Sequence, residues 1–276
     1  MVPRVSVIIP TYNRYPFLIE AVESVLNQSY RDFELIVIDD GSEDNTVEIT
    51  HRYPDKLRYF YQKNQGASAA RNQGIKLSRA ELITFLDSDD LWDKDKLRYQ
   101  VDFMESTPEA RICYTDEIWI RRGVRVNPRK RHRKDSGWIF DRALELCIIS
   151  PSSVMIRREL LQEVGYFDEE LPVCEDYDLW LRIASINPIY LIDKPLIIKR
   201  GGHPDQLSEK YWGRDRFRVR ALEKLLDNGQ LTQEQRKQTL RVLKKKCGIL
   251  ARGCYRRGKR EEGDKFAGLP LKYEKG

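Results

Sequence analysis

The sequence predicts an α/β fold with a doubly wound, mostly parallel central sheet flanked by helices, and with a helical C-terminal extension. Through the first hundred residues, short apolar and β-branched runs alternate with helical patterns, which is typical of parallel strands joined by right-handed crossovers. After residue 210 the periodicity is helical, with apolar residues on one face. The chain has 276 residues, of which 41% are hydrophobic, enough for a sizeable core.

The elements of the first half follow one another at regular spacing. A strand from Val5 to Ile9 precedes a helix that begins near Pro16. Further strands are predicted at 33–38, 57–61 and 82–86, and further helices from about 42–45, over 67–78 and from about Asp93. The second half is less regular, with one or two strands over 111–126, a helix over 176–187 and a strand over 189–198.

Polar clusters follow three of the predicted strands directly. They are Thr11-Tyr12-Asn13, Asp39-Asp40 and Asp87-Ser88-Asp89-Asp90. Ligands of doubly wound sheets bind beyond the carboxyl ends of the strands. We therefore expect these clusters to meet at one rim.

The third cluster places three carboxylates within four residues. Unpaired carboxylates repel one another and resist desolvation, so such a group usually has a cation. Hard oxygen ligands suit Mg²⁺ or Mn²⁺ bridged to substrate phosphates. A solvated acidic turn that caps the following helix explains the same residues.

Cysteine and hydropathy patterns bear on the compartment. The five cysteines are scattered without a CxxC pair, which favours reduced thiols over a disulfide framework or zinc site. No apolar run has the length of a membrane span, and the N-terminus lacks a signal-peptide layout. We expect a cytoplasmic protein.

Two segments are strongly basic. Residues 210–276 hold 20 Lys and Arg against 8 Asp and Glu. This balance and the amphipathic pattern indicate peripheral contact with the inner face of a membrane, but packing on the body or a dimer contact explains the apolar face equally well. The segment 121–134 is interpreted as a mobile loop that orders over an anionic ligand, or as a charged surface loop.

Five motifs occur in order along the chain: VSVIIPTYNR at 5–14, IDDGS at 38–42, GASAARN at 66–72, DSDD at 87–90, and FDE at 167–169 followed by EDYDLWLR at 175–182. Together they cover roughly residues 3–205 and resemble the family 2 glycosyltransferases of the GT-A fold. The resemblance implies a catalytic domain over 1–209, with a nucleotide-binding half over 1–110 and an acceptor-binding half over 111–209. Residues 210–276 then form a basic helical extension.

The resemblance assigns roles to the residues that bind the nucleotide sugar. Asp40 matches the carboxylate that accepts the imide N–H of uracil or thymine, and Tyr12 the ring that stacks on the base. Arg71 matches an arginine near the base and diphosphate, where a permanent charge is apt. The remaining residues of this set are Thr11, Asn13, Asp87 and Ser88, with Asp39 ordering the turn or contacting the ribose.

The metal and the general base are likewise implied by the resemblance. Asp89 is the leading ligand of Mn²⁺ or Mg²⁺, and Asp90 is the alternative. Asp176 matches the general base, which removes a proton from the acceptor hydroxyl during attack; Glu175 is its neighbour in the acidic pair. His203 is a further candidate for contact with the metal or diphosphate.

The function implied is transfer of a sugar from a UDP- or dTDP-sugar to an acceptor hydroxyl by inverting single displacement, in cell-surface polysaccharide or glycoconjugate synthesis. The expected partners are the donor and a glycan or lipid-linked acceptor, and no nucleic acid. The alternative is a catalytically silent module that binds nucleotide sugar or glycan. A phosphoryl-transfer or receiver-type domain also places carboxylates at strand ends, but it needs a nucleophilic Asp and a strand-end Lys at matching positions. The segment after Leu86 has two further acids and no Thr or Val in the slot that a haloacid-dehalogenase motif would use.

Overall fold

The central sheet of the molecule contains strands from both halves of the chain. The computed structural model describes residues 2–202, 211 and 213–274. Within these residues the strands are β1 Val5–Thr11, β2 Phe33–Asp39, β3 Arg58–Tyr61, β4 Leu82–Phe85, β5 Leu91–Trp92, β6 Ile112–Arg121, β7 Val124–Val126, β8 Val154–Arg157 and β9 Tyr190–Gly201.

The strand order is β3-β2-β1-β4-β8-β6-β9-β5, and β7 pairs with β6. The first four strands are parallel, as the alternation of strands and helices predicts. β8 is antiparallel to both β4 and β6, β5 is antiparallel to β9, and β6 is parallel to β9. The parallel character therefore belongs mainly to the N-terminal half, and the sheet as a whole is mixed.

One further antiparallel pair is joined by a short connection. β6 and β7 form a hairpin whose two-residue turn, Arg122-Gly123, has φ angles of 50° and 77°. Positive φ at both positions is the signature of a type I′ turn, whose twist matches that of the strands. β5 also pairs with β9, so the helix predicted near Asp93 begins only at Lys96.

Helices cover both faces of the sheet. The α-helices among the described residues are α1 Tyr15–Leu26, α2 Ile49–Arg52, α3 Ala67–Leu77, α4 Lys96–Ser106, α5 Phe140–Glu145, α6 Arg158–Val164, α7 Glu175–Ile186, α8 Asp215–Asp227, α9 Gln233–Arg256 and α10 Arg260–Gly268. Short 3₁₀ helices lie at Asn45–Glu48, Lys130–His132, Pro151–Ser153 and Leu269–Tyr273. The helix expected from about 42–45 thus begins as the first of these 3₁₀ segments.

β1, β2 and β4 are buried on both faces, which explains their largely apolar sequences. Successive side chains of β1 point to opposite faces. Val7 and Ile9 belong to the core cluster beneath α1, whereas Ile8 belongs to the cluster on the other face, with Ala70 of α3.

The C-terminal helices pack on this second cluster. Leu243, Cys247 and Leu250 of α9 and Leu222 of α8 are buried in the same core as residues of α5 and α7. The apolar face predicted in this region is therefore used inside the molecule. A capping box formed by Thr232 and Gln235 begins α9. The domain boundary at residue 210 stays a prediction. In the described ranges, no helix combines the length and apolar composition needed to cross a bilayer.

Candidate functional site

A large cleft opens at the carboxyl ends of β1, β2 and β4. Its volume is about 1900 Å³, roughly twice the upper end of the usual range for small-molecule pockets, about 1000 Å³. The predicted residues that line it are Thr11, Tyr12, Asn13, Asp40, Arg71, Asp87, Ser88, Asp89, Asp90, Glu175 and Asp176. The chain thus brings its strand-end clusters and the acidic pair of α7 to one place.

Asp40 lies at the end of β2, where backbone and side-chain amides surround its carboxylate. Oδ1 accepts from Gln62 Nε2 at 2.7 Å and from the backbone N–H of Gln65 at 2.9 Å, and Oδ2 accepts from the backbone N–H of Gly66 at 2.7 Å. Gly66 has a φ of 94° as the N-cap of α3, a conformation that favours glycine. Burial raises the pKa of Asp40, and these three hydrogen bonds oppose the rise.

The turn after β1 is fastened to the turn after β2. The backbone N–H of Asn13 donates to Ser42 Oγ at 2.8 Å, and Asn13 Oδ1 accepts from the N–H of Glu43 at 2.7 Å. Tyr12 remains 45% exposed at the rim. Thr11 Oγ1 is buried and has no hydrogen-bond partner among the described residues.

Asp39 lies beneath this wall and is buried. Its carboxylate accepts hydrogen bonds from the backbone N–H of Ser42 and from the hydroxyl of Tyr59. The structure therefore gives Asp39 contacts that order the turn. Burial and the Asp39 carboxylate together raise the pKa of Tyr59.

Arg71 of α3 joins the acidic turn to α7. Its Nη2 lies 2.7 Å from Asp87 Oδ1 and its Nη1 lies 2.7 Å from Glu175 Oε1. Arg71 is 5% exposed, and its guanidinium carbon lies 5.3 Å from the ring centroid of Phe167. Burial opposes protonation of Arg71, but the two carboxylates outweigh it and raise its pKa.

Glu175 is the buried partner in this bridge. Burial raises its pKa to about 7, although the Arg71 guanidinium acts in the opposite direction. When Glu175 is ionised, its poorly solvated charge is stabilised by the Arg71 guanidinium. The contact with Glu175 therefore fixes the position of Arg71. The neighbour of Glu175, Asp176, is partly exposed in the cleft.

Asp176 lies in the first turn of α7. The N-cap residue, Cys174, has a φ of 65°, which is uncommon for a residue with a side chain and often occurs at functional sites. Asp176 Oδ1 accepts from the N–H of Tyr177 at 2.7 Å, and Oδ2 lies 3.4 Å from the Sγ of Cys147. Burial raises the pKa of Cys147 well above its usual value, and the Asp176 charge adds to this effect.

The acidic turn is held by contacts with distant segments. Asp89 Oδ2 lies 2.5 Å from Arg14 Nη1, and Arg200 donates to the backbone carbonyl of Asp89. Asp90 is 2% exposed and accepts from Ser152 Oγ at 2.7 Å and from the N–H of Arg200 at 3.0 Å. Burial raises the pKa of Asp90 well above its usual value, and the neighbouring Asp89 and Asp87 charges add to it.

Several lining residues were not identified from the sequence. Glu117 accepts from Trp119 Nε1 at 2.7 Å, and its Oε2 lies 3.1 Å from Lys134 Nζ. The basic segment 121–134 is therefore tied to the sheet at its C-terminal end. Lys199 of β9 also lines the cleft. Burial opposes its protonation, but carboxylates led by Glu117 and Asp90 raise its pKa. His203 lies outside the described residues.

Comparison with known proteins identifies the chain. The family model described as "Glycosyl transferase family 2" matches residues 6–165. The chain belongs to this family. An uncharacterized glycosyltransferase of Rickettsia felis is 41% identical over 201 residues, which cover 70% of this chain and 32% of the relative. The chain thus spans about a third of the length of this relative.

Two further relatives in the family have more specific names. The putative teichuronic acid biosynthesis glycosyltransferase TuaG of Bacillus subtilis is 36% identical over 187 residues, or 66% of this chain and 73% of TuaG. The Escherichia coli protein WfaP is 32% identical over 188 residues, or 66% of this chain and 70% of WfaP. Its name describes a UDP-Glc:alpha-D-GlcNAc-diphosphoundecaprenol beta-1,3-glucosyltransferase.

Solved structures confirm the fold. S. aureus TarS 1-349 in complex with UDP-GlcNAc superimposes with a TM-score of 0.70 at 19% identity, covering 96% of this chain and 90% of TarS 1-349. The mannosyltransferase PcManGT from Pyrobaculum calidifontis, in complex with GDP-Man and Mn²⁺, superimposes with a TM-score of 0.62 at 19% identity. The match covers 99% of this chain and 87% of the PcManGT chain. The GT-A-type α/β fold predicted from the sequence is confirmed.

The residues of the cleft fit a divalent ion of the kind used in this fold family only if the substrate supplies further ligands. Within the described residues, no three His, Cys, Asp or Glu side chains form a metal-binding group. Mg²⁺ commonly uses one or two carboxylates together with substrate phosphates and water. Asp89 lines the cleft and is partly exposed, so it fits this set. Both carboxylate oxygens of Asp90 already accept hydrogen bonds.

Proposed function

We propose that the protein transfers a sugar from a UDP- or dTDP-sugar to an acceptor hydroxyl by a metal-assisted, inverting single displacement. The observation that carries this proposal is the convergence of Asp40, Asp89 and Asp176 on one cleft of about 1900 Å³. These three carboxylates come from separate segments and have different surroundings, so each is suited to a different part of the reaction.

The surroundings of Asp40 favour a pyrimidine base. A carboxylate has about four acceptor positions, and amides occupy three of those on Asp40. One position on Oδ2 is left, which matches the single imide N–H of uracil or thymine. Guanine presents two neighbouring N–H donors and needs two positions for a bidentate contact. The exposed ring of Tyr12 lies at the same rim and is available for stacking on the base.

Asp89, with Asp87 and Ser88 beside it, is proposed to hold the diphosphate end of the donor. A divalent ion bound there stabilises negative charge on the leaving nucleoside diphosphate. Arg14 forms an ion pair with the Asp89 carboxylate, and Arg71 forms one with the Asp87 carboxylate. These arginines keep the turn in place through charge-assisted hydrogen bonds. Thr11 Oγ1 is buried and has no partner in the ranges that the structure describes, so it is available for a polar group of the donor.

Asp176 is proposed as the general base. It is the partly exposed member of the acidic pair, while Glu175 is committed to Arg71. A base within hydrogen-bond reach of the acceptor hydroxyl takes its proton as the oxygen attacks the anomeric carbon. Attack from the face opposite the leaving diphosphate inverts the configuration at that carbon.

The names of two relatives support a place in cell-surface polysaccharide or glycoconjugate synthesis. TuaG is named for teichuronic acid biosynthesis, and the acceptor in the name of WfaP is a lipid-linked sugar. A glycan or lipid-linked acceptor is therefore proposed here. Contact with an anionic membrane surface is proposed through the basic region 210–276. The contact is assigned to the exposed Lys and Arg within 213–274, because the apolar face of α9 is buried in the core.

The test is a donor screen read by release of nucleoside diphosphate in the presence of Mn²⁺. Release or transfer from a UDP- or dTDP-sugar, but not from GDP-mannose, is expected, and EDTA should suppress it. Asp89→Asn should abolish this turnover, while Asp102→Asn, an exposed carboxylate on α4 outside the cleft, should leave it unchanged. Intact UDP binding without turnover of any donor would instead favour the silent binding module.

A further inference from the structure

The C-terminal helices contribute a charged cluster to the cleft that the reaction described above does not use. Arg218 Nη1 of α8 lies 3.1 Å from Asp215 Oδ1, and Lys246 Nζ of α9 lies 3.2 Å from the same oxygen. All three side chains line the cleft, and that of Lys246 is only 9% exposed. Two cations share one carboxylate, so the cluster carries a net charge of about +1 at neutral pH.

This cluster lies on the side of the cleft that contains Asp176. The Arg218 guanidinium carbon is 5.8 Å from the ring centroid of Tyr177, the residue after Asp176. The Arg218 charge also acts on Cys147, whose Sγ contacts Asp176 Oδ2, and partly opposes the rise in the pKa of that thiol. Most of the proposed donor-binding residues follow the ends of β1, β2 and β4. Arg71 of α3 connects the two parts of the wall, because it contacts both Asp87 and Glu175.

The hydrogen-bonding capacity of the cluster is incomplete. Arg218 Nε is buried, and within the described part of the chain it has no hydrogen-bond partner. Burial lowers the pKa of Lys246, and the Asp215 charge only partly offsets this. A buried donor without an acceptor and a poorly solvated ammonium both gain from a further anion.

Further cations line the same cleft. Arg129 and Arg131 of the basic segment and Arg214 before α8 are exposed residues that line the cleft. Acidic residues also line the cleft here: Glu145 lies 2.6 Å from Lys245, Glu175 is paired with Arg71, and Asp215 is shared by two cations. Asp176 and Glu169 complete this set. Arg129, Arg131 and Arg214 therefore add positive charge to a region where most of the carboxylates already have a cation.

We propose that Arg218 and Lys246 form a subsite for an anionic group, a phosphate or a carboxylate, on the sugar acceptor near the hydroxyl that Asp176 deprotonates. This inference rests on the proposed function and names the acceptor class that the cleft selects. The volume of the cleft leaves room for such an acceptor beside a nucleotide sugar. Charge-assisted hydrogen bonds from a guanidinium and an ammonium suit both anions.

The test compares three probes by calorimetric titration of the protein saturated with UDP and Mn²⁺: glucose 1-phosphate, glucuronate and neutral methyl glucoside. We expect at least one anionic probe to bind about tenfold or more tightly than the neutral one. Arg218→Gln and Lys246→Gln should each lose about tenfold or more of that affinity. Asp215→Asn should instead strengthen it, because this change removes the competing carboxylate.

Arg252→Gln is the matched control, since Arg252 is exposed on α9 outside the cleft. Preference for glucose 1-phosphate would indicate that the acceptor carries a phosphate. Preference for glucuronate would indicate that the acceptor contains a uronic acid. UDP binding with no preference for an anion, or losses in Arg252→Gln equal to those in Arg218→Gln, would overturn the subsite. Weaker anion binding in Asp215→Asn would do the same. Failure of the wild type to bind UDP would instead contradict the proposed function. If Arg218→Gln does not fold, Arg218→Lys takes its place, and this variant should keep the preference for an anionic probe because it retains the charge.

Discussion

Replacement of Arg71 by Met removes the cation that joins the acidic turn to α7 and leaves a side chain of similar length. Asp87 and Glu175 each lose a contact of 2.7 Å. Because the Asp87 side chain is 26% exposed, water replaces much of its lost contact. Glu175 is buried, so the loss in the free energy of unfolding depends mainly on whether Glu175 is ionised.

The cost of Arg71→Met should depend on pH. Burial already raises the pKa of Glu175 to about 7 with Arg71 present, and loss of the guanidinium raises it further. At pH 6 the variant holds a neutral Glu175 and loses about 1.5–3 kcal/mol, the range for hydrogen bonds to charged groups. At pH 9 the folded variant binds more protons than the folded wild type, so it loses stability faster as pH rises. The cost should then approach about 3–5 kcal/mol, the range for a broken buried pair.

Urea unfolding at pH 6 and pH 9 measures this difference in the free energy of unfolding. Arg79→Met is the control, because Arg79 Nε also lies 3.0 Å from a glutamate, Glu34, but its side chain is 56% exposed. That variant should lose less than about 1 kcal/mol at either pH. Equal small losses in both variants, or a loss in Arg71→Met that shrinks as pH rises, would refute the assigned role of Arg71.

Three further changes test other parts of the structure. Asp40→Asn should weaken UDP binding about tenfold or more in calorimetric titration, and unchanged affinity would contradict the assignment of Asp40 to the base. Wild-type UDP binding should weaken on acidification at a pH above the ordinary Asp range, because burial raises the pKa of Asp40. Wild-type stability should include a component that falls as pH rises from about 4.5 to about 7, because Glu175 binds its proton more tightly when folded; Glu175→Gln should lack this component in unfolding curves. Leu243→Ala on the buried face of α9 should cost about 2–5 kcal/mol, whereas Ile249→Ala, 46% exposed, should cost less than about 1 kcal/mol; equal costs would argue against packing of α9 on the body.

The first half of the fold is readable from the sequence because its signals are local. Each apolar run of β1, β2 and β4 is buried on both faces, and the polar residues that follow come at the strand end. Parallel strands place those ends at one edge, so the meeting of Asp40 with the acidic turn follows from the strand order. The roles of these residues in the reaction stay predictions.

The second half depends on contacts between distant segments, which no local pattern encodes. Arg200 binds the acidic turn from 111 residues further along the chain, and β6 pairs with β9 through register shifts around Asp116. The amphipathic pattern of α9 indicated an apolar face but not its partner. Its burial against the body also places Lys246 in the cleft, a position that only the packed structure reveals.

The separate roles of Asp176 and the donor site are tested by a paired measurement on Asp176→Asn: the rate of sugar transfer from the donor identified by screening, and the affinity for UDP with Mn²⁺. Because Asp176 is assigned to the acceptor proton and not to the nucleotide, transfer should fall by about 10²–10⁴-fold while UDP affinity stays within about twofold of the wild type. Wild-type transfer by Asp176→Asn, or loss of UDP binding together with transfer, would contradict the separation of donor site and base in this cleft.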